Sequence, residues 1–257
     1  MSISGLFLRN PIIFGSFKVN PETLNNAVKL FKVIDAATGY KNLSTIGSSI
    51  SHLPETERPI ILLKFNPDDF INFDKSVEQA VAELGKEPEI VLIHSPLEDN
   101  VTGFKQLSER FPNSLKGVSN FNIKGLQDLM DSGCKLDIVS LEYSPYYQPK
   151  ALIEFCRGHN IIVTGYRCLA KGEACKDPLI ISLAEKYKTS TASILLTWSI
   201  SNGVLPIYTT NNINHMNVSI VHDLSTTDIQ NIDALDQGPS AATCMLRYTT
   251  HDYISKV

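Results

Sequence analysis

The sequence predicts an α/β protein folded as a single (β/α)8 TIM barrel over residues 1–257, with a short lead-in before the first strand and a tail at the C-terminal end. Three observations predict it. Eight short apolar runs rich in β-branched residues recur along the chain, and segments with apolar residues three and four apart stand between most of them, the spacing of one helix face. The runs are continuously apolar rather than alternating, as in a parallel sheet covered on both faces. The chain length, 257 residues, is also close to the roughly 250 residues at which such barrels close as one domain.

The strands read PIIFGSF (11–17), KVIDA (32–36), PIILLKF (59–65), EIVLIH (89–94), SLKGVS (114–119), LDIVSL (136–141), IIVTGY (161–166) and VLPIY (204–208). Helical patterns cover 22–31, 73–85, 102–111, 123–133, 150–160, 177–188 and 190–200. Gly85 and Gly133 stand at the ends of two of them, where glycine commonly closes a helix. A doubly wound open sheet is the rival architecture, but it usually has fewer strands, and its nucleotide-binding form carries GxGxxG after the first strand. The chain has neither that motif nor GxxxxGK[ST].

Composition narrows the partners. Hydrophobic content of 43% with 19% charged residues suits a globular protein with a sizeable core. A net charge of −4 supplies no basic face for nucleic acid or an anionic bilayer. No run reaches the roughly 18 apolar residues of a membrane span. The first residues, MSISGLFLRNPIIFGSF, carry Arg9 inside the apolar stretch and no basic region before it, a poor signal peptide. The five cysteines are odd in number and form no CxxC pair, which fits a reducing compartment. The expectation is a cytoplasmic protein acting on a small molecule, a monomer or homodimer.

In a barrel the carboxyl ends of the strands form the active face, so polar residues there are the candidates. Asp35 ends the second strand and Tyr40 follows in the loop; Lys64 ends the third strand and His94 the fourth; Ser119 and Asn120 end the fifth, and Glu142 follows the sixth. Each alone has an ordinary structural explanation, but all would project into one mouth. Lys64 follows an apolar strand, where burial is costly without an acid partner, and Asp35 on the neighbouring strand is that acid. An ammonium beside Tyr40 would lower the phenol's pKa from about 10 by stabilising the phenolate. The set reads as a proton-transfer site: Tyr40 the general acid, Lys64 its tuning cation, Asp35 holding Lys64, and His94 hydrogen-bonding the oxygen that receives the proton. His94 is the one strand-end histidine, so a metal-dependent hydrolase is set aside and no metal is expected.

These motifs, in this order, resemble the aldo-keto reductase superfamily. VIDAATGYKN is similar to the family's IDTA-x-x-Y-x-NE, EIVLIHSP to its DLYLIHWP, KGVSNF to its IGVSNF, VSLEYSPY to its NQ-x-E-x-HP and IIVTGYRCLAKG to its I-x-V-x-AYSPLG-x-G. The likeness runs from about residue 11 to the C-terminus. It implies an oxidoreductase that reduces an aldehyde or ketone with NADPH or NADH, bound without a GxGxxG loop, and Asp35, Tyr40, Lys64 and His94 as the catalytic tetrad. Ser119 and Asn120 would hold the nicotinamide carboxamide and Tyr166 would stack on its ring. Arg167 and Leu169 after the seventh strand, Tyr208 and Thr209 at the end of the eighth, and Asn217 beyond complete the expected cofactor contacts.

Departures from the family pattern shape the rest of the expectation. Ser140 stands where much of the family has a glutamine that also pairs with the carboxamide. Ile207, Tyr208 and Ile213 stand where the Lys, Ser or Thr and Arg of NADPH-preferring members would be, so the usual clamp on a 2′-phosphate is absent. Leu43 replaces a glutamate; Phe17 and Ser95 replace tryptophans of the substrate pocket, leaving a less aromatic rim. Weakened cofactor contacts also leave a second reading, a non-catalytic regulatory or scaffold barrel.

Overall fold

The computed structural model describes residues 11–244. The expected lead-in falls outside the described residues, as does most of the tail. The strands are β1 (Ile13–Gly15), β2 (Val33–Ala37), β3 (Ile60–Phe65), β4 (Ile90–Ile93), β5 (Leu115–Ser119), β6 (Ile138–Glu142), β7 (Ile162–Tyr166) and β8 (Val204–Tyr208). They pair in sequence order, all parallel, and β1 closes on β8. The barrel expected from the sequence is the fold. Most strand ends shift by one or two residues: β2 runs past Asp35 to Ala37 and β3 past Lys64 to Phe65, His94 and Asn120 follow β4 and β5 rather than ending them, and Glu142 is the last residue of β6 rather than the one after it.

The helices are α1 (Pro21–Leu30), α2 (Leu43–Ser51), α3 (Phe73–Leu84), α4 (Asn100–Arg110), α5 (Ile123–Asp131), α6 (Lys150–Gly158), α7 (Pro178–Lys186), α8 (Thr191–Ser201) and α9 (Thr226–Asp233). Several begin where the sequence offers a cap. The side chains of Asn20, Asp99, Asn122, Asp177 and Ser190 each accept a backbone N–H of the first turn, satisfying donors that the helix leaves orphaned.

Helices α2 and α9 were not predicted. Residues 43–51, LSTIGSSIS, combine serines, a threonine and a glycine, all weak helix formers. The segment is helical because a parallel β2–β3 pair requires a crossover and because Leu43, Ile46 and Ile50 bury one face. Helix α9, TTDIQNID, is mostly polar and is docked by its acids instead. Asp228 Oδ2 receives Lys186 Nζ at 2.7 Å and the Ser225 hydroxyl at 2.7 Å, while Asp233 Oδ1 accepts the indole N–H of buried Trp198 at 2.7 Å.

Two apolar layers hold the barrel. Ile13, Val33, Leu62, Ile90, Leu92, Ile138 and Ile207 fill the interior. A larger cluster between strands and helices includes Phe14, Ile34, Leu63, Phe65, Val91, Val139 and Trp198. The two sets alternate along each strand, as the twofold side-chain period requires.

Helix α2 lies close against the end of α3: a β-carbon at Gly47 would stand 2.1 Å from the Glu83 carbonyl oxygen. Glycine to alanine inside a helix ordinarily stabilises by about 1 kcal/mol. Here the sign should reverse, with Gly47→Ala destabilising by about 1–3 kcal/mol through overpacking, read as a lower urea midpoint.

Candidate active site

The alternation that fills the barrel also selects which polar residues face its mouth. Val33 and Leu62 point inward, and so by the period of two do Asp35 and Lys64, one step nearer the carboxyl ends. The same parity carries Ile90 and Leu92 to His94, Ile138 to Ser140 and Glu142, and Ile162 to Tyr166. The interior is therefore apolar at the bottom and polar at the top, where active sites of this architecture sit.

Lys64 Nζ lies 2.6 Å from Asp35 Oδ1, and both residues are 2% exposed. Tyr40 closes the single 3-10 turn Thr38–Tyr40 that follows β2. Its ring centroid is 5.3 Å from Lys64 Nζ and 5.7 Å from the His94 ring, which it meets edge-on. Phe17, half exposed after β1, packs on the other side of Tyr40 at 4.9 Å, and Ser95 is buried next to His94. The four residues expected to act together are thus assembled around one point, with Phe17 on the rim.

Their protonation follows from burial and from Lys64. Burial by itself would lower the lysine pKa, but Asp35 and then Tyr40 outweigh it, so Lys64 is held above its ordinary value and stays an ammonium. The phenol differs from the expectation. Burial raises the Tyr40 pKa more than Lys64 lowers it, and the net shift is upward, so Tyr40 is a neutral hydroxyl whose rise Lys64 limits. His94 is pushed down to about 3, by burial first and by Lys64 second, and is neutral at physiological pH.

His94 is gripped from two sides. Its Nδ1 is 2.7 Å from Asn66 Oδ1, and its carbonyl oxygen accepts from Asn120 Nδ2 at 2.9 Å. Asn66 follows β3 in the inward parity, and the β3–β4 register, which pairs Phe65 with Ile93, sets it beside His94. It also caps the 3-10 segment Pro67–Asn72, giving its N–H to Asp69 Oδ2 at 2.7 Å while its side chain accepts from the Asp69 N–H. Asp69 Oδ2 in turn accepts from the Thr38 hydroxyl at 2.5 Å. The turn that carries Tyr40 and the loop that steadies His94 are one hydrogen-bonded unit.

The cofactor candidates divide. Ser119 and Ser140 are buried neighbours in the β5–β6 register. Among the described residues the buried Ser140 Oγ has no hydrogen-bond partner, an orphaned hydroxyl of the kind a nicotinamide carboxamide would satisfy. Asn120, at φ 67° in the left-handed region that asparagine tolerates, accepts the Tyr166 hydroxyl at 2.5 Å. Tyr166 is kept neutral, its pKa driven well up by burial first and by Cys244 next. These residues fit a nicotinamide ring held beside Tyr40.

The remaining candidates stand apart from that group. Arg167 is turned to Glu142, 3.8 Å away, and to the Thr243 hydroxyl, not outward toward a pyrophosphate. Tyr208 packs in the strand–helix layer with its hydroxyl on the His215 carbonyl at 2.8 Å. Ile207 belongs to the barrel interior. Leu169 is half-buried, and Thr209 and Asn217 are exposed. Sequence reasoning missed Asn66, whose signal was its parity with Lys64. It also missed the role of Glu142, whose buried carboxylate accepts from Thr243 N at 3.0 Å, the Thr243 hydroxyl at 2.7 Å and Cys244 N at 2.6 Å. Nothing local in the sequence marks that contact, which spans about a hundred residues.

Two outcomes follow. Lys64→Met strands Asp35 and should cost about 3–5 kcal/mol in urea unfolding, part of which Asp35→Asn should restore in the double variant because no buried charge is then left alone. His94 has a folded pKa of about 3 against an ordinary 6.5, so between these values the unfolded chain takes up a proton that the folded one refuses. Its contribution is full above pH 6.5 and is lost as pH falls toward 3. The drop in urea midpoint from pH 7 to pH 5 should be smaller in His94→Gln than in the parent.

Comparison with known proteins agrees with the barrel fold. The pattern of the aldo/keto reductase family matches residues 16–237. The NAD/NADP-dependent indole-3-acetaldehyde reductase of Schizosaccharomyces pombe is 30% identical over 83% of this chain and 82% of its own length. The glyoxal reductase of Bacillus subtilis is 28% identical over 87% of each. The solved aldose reductase of Schistosoma japonicum superposes with a TM-score of 0.84 over 95% of this chain and 94% of that one, at 20% identity, a likeness of fold. The match over most of the chain places it in the aldo/keto reductase family of NAD(P)H-dependent oxidoreductases.

Proposed function

We propose that the protein reduces an aldehyde or ketone to the alcohol with Tyr40 as the proton donor. The observation that carries the reading is the fully buried Lys64–Asp35 pair, 2.6 Å apart, set against the Tyr40 ring. Bound NAD(P)H would supply the hydride that the carbonyl carbon receives. Tyr40, neutral at physiological pH, gives its proton to the carbonyl oxygen. The phenolate left behind is stabilised by the Lys64 ammonium, which Asp35 holds in place. Lys64 thus acts on the product of proton transfer, a use of charge where it develops. Ser119, Asn120 and Ser140 are the side chains suited to the carboxamide, and Tyr166 to the ring face.

The neutral aldehyde or ketone needs no counter-charge. Phe17, His94 and Ser95 border the reacting carbonyl, and Phe17 is 49% exposed, which supports an open, small-molecule site. No helix among the described residues is long and apolar enough to cross a membrane. Discrimination between the two nicotinamide cofactors should be slight. Residues 204–221 contain no Lys or Arg, and a charge-assisted hydrogen bond to a 2′-phosphate is worth about 1.5–3 kcal/mol. The two dissociation constants are expected within about tenfold of each other, about 1.4 kcal/mol.

Fluorescence titration with NADPH and NADH, paired with carbonyl reduction by Tyr40→Phe, tests the reading. The variant should bind cofactor like the parent and lose most of kcat. Reduction at the parental rate would remove Tyr40 from the role, and absence of binding by either cofactor would favour the scaffold barrel.

A further inference from the structure

Tyr40 is carried by a very short piece of chain. The turn Thr38–Tyr40 has no side-chain hydrogen bond at its cap, Gly39 in its middle is exposed, and Lys41 leaves it at φ 57°, in the left-handed region. Between the turn and helices α2 and α3 lies a cavity of about 200 Å³, bordered by Thr38, Gly39, Leu43, Asp69 and Glu83. On that side packing does not hold the turn, so hydrogen bonds have to.

The bonds run from Thr38 to the loop after β3. The Thr38 hydroxyl donates to Asp69 Oδ2 at 2.5 Å and accepts from the Asn66 N–H at 3.4 Å. Asp69 is itself fixed: Oδ2 also accepts the Asn66 N–H at 2.7 Å, and its carbonyl oxygen accepts the Ser76 hydroxyl at 3.2 Å. Turn and loop are in close contact as well, since a β-carbon at Gly39 would stand 2.3 Å from Asn66 Nδ2. The same loop presents Asn66 Oδ1 to His94 Nδ1 at 2.7 Å. Thr38 and Gly39 fill the two positions that the family's IDTA-x-x-Y pattern leaves open, so the tie belongs to this chain and not to the pattern.

We propose that Thr38 and Asp69 are positioning residues whose hydrogen bond fixes the Tyr40 turn against the loop after β3, and so sets where the phenol hydroxyl meets the reacting carbonyl beside His94. The proposal rests on Tyr40 as the proton donor. Proton transfer needs donor and acceptor aligned within hydrogen-bond reach, and a misplacement of about 1 Å costs on the order of a hundredfold in rate. Both residues act through the turn and not on the substrate.

Thr38→Val keeps the branched shape of the side chain and removes the hydroxyl, while the Asn66 N–H keeps Asp69 and its cap. In that variant kcat for carbonyl reduction should fall by roughly ten- to a hundredfold, with KM and the dissociation constant of the cofactor unchanged. Thr38→Ser restores the hydroxyl and should restore kcat. Asp69→Asn, which can turn an oxygen to the same two donors, should also stay near the parent, whereas Asp69→Ala should fall as Thr38→Val does. Combining Thr38→Val with Asp69→Ala should slow the enzyme no further than Asp69→Ala alone, because both remove one bond. Parental kcat in Thr38→Val, or a loss that Thr38→Ser fails to repair, overturns the proposal.

NMR of ring-labelled tyrosine in the full chain, with the Tyr40 signals assigned by their loss in Tyr40→Phe, reads the ring's position without any need for activity. The Lys64 ammonium and the edge-on His94 ring stand 5.3 and 5.7 Å from the ring centre, so a small displacement changes its shifts. Signals moved in Thr38→Val and unmoved in Thr38→Ser are expected; signals unmoved in both overturn the brace. A parent that reduces no carbonyl compound counts against the reductase reading, and the brace is then decided by the NMR alone.

Discussion

A lysine and an aspartate buried together in the barrel constrain everything else at the mouth. Each is 2% exposed and their charged atoms are 2.6 Å apart. Two charges removed from water cost more than a surface pair returns, and such a pair is tolerated only where its geometry is good. That geometry comes from β2 and β3, whose register sets Asp35 beside Leu62 and Ala37 beside Lys64. The pair is thus a poor way to stabilise a barrel but an effective way to keep a cation beside Tyr40. Every neighbouring polar group has to be arranged around it, and His94 is kept neutral in part by that same cation.

Around this pair the mouth is organised as two braced loops. On one side Thr38, Asn66 and Asp69 tie the Tyr40 turn to the loop after β3 and thence to His94. On the other, Asn120 links the His94 carbonyl to the Tyr166 hydroxyl, and Glu142 anchors Thr243 and Cys244. The donors and acceptors of these loops are largely satisfied within the protein, which is what holds a set of side chains rigid enough for proton transfer. Among the described residues the exceptions are the buried hydroxyls of Ser16 and Ser140 and the Asn42 Oδ1, which have no hydrogen-bond partner.

Much of this was legible in the chain, and the reasons differ from residue to residue. The eight strands announced themselves because a parallel sheet covered on both faces must be written in continuous apolar runs. Asp35, Lys64 and His94 were legible because a charge or an imidazole at the end of such a run breaks its composition. Helix α2 was not, since its serines and glycine favour no helix and its folding depends on the crossover it must make. Helix α9 was not, since its docking is by Asp228 and Asp233 onto side chains some thirty to forty residues away. The direction of the Tyr40 shift was misjudged because a nearby cation can be seen in a motif, whereas the depth of burial cannot.

The sequence by itself determined the strand count and pointed to the four groups that meet at the mouth, because continuous apolar runs and the polar residues that end them are local properties. Only the tertiary structure decided which side of each strand faces the barrel interior, which nitrogen of His94 faces Asn66, that burial outweighs Lys64 at Tyr40, and that Glu142 holds Thr243. Those outcomes depend on distances between side chains remote in the chain, and a hydrogen bond or a desolvated charge exists only once the barrel has closed around it.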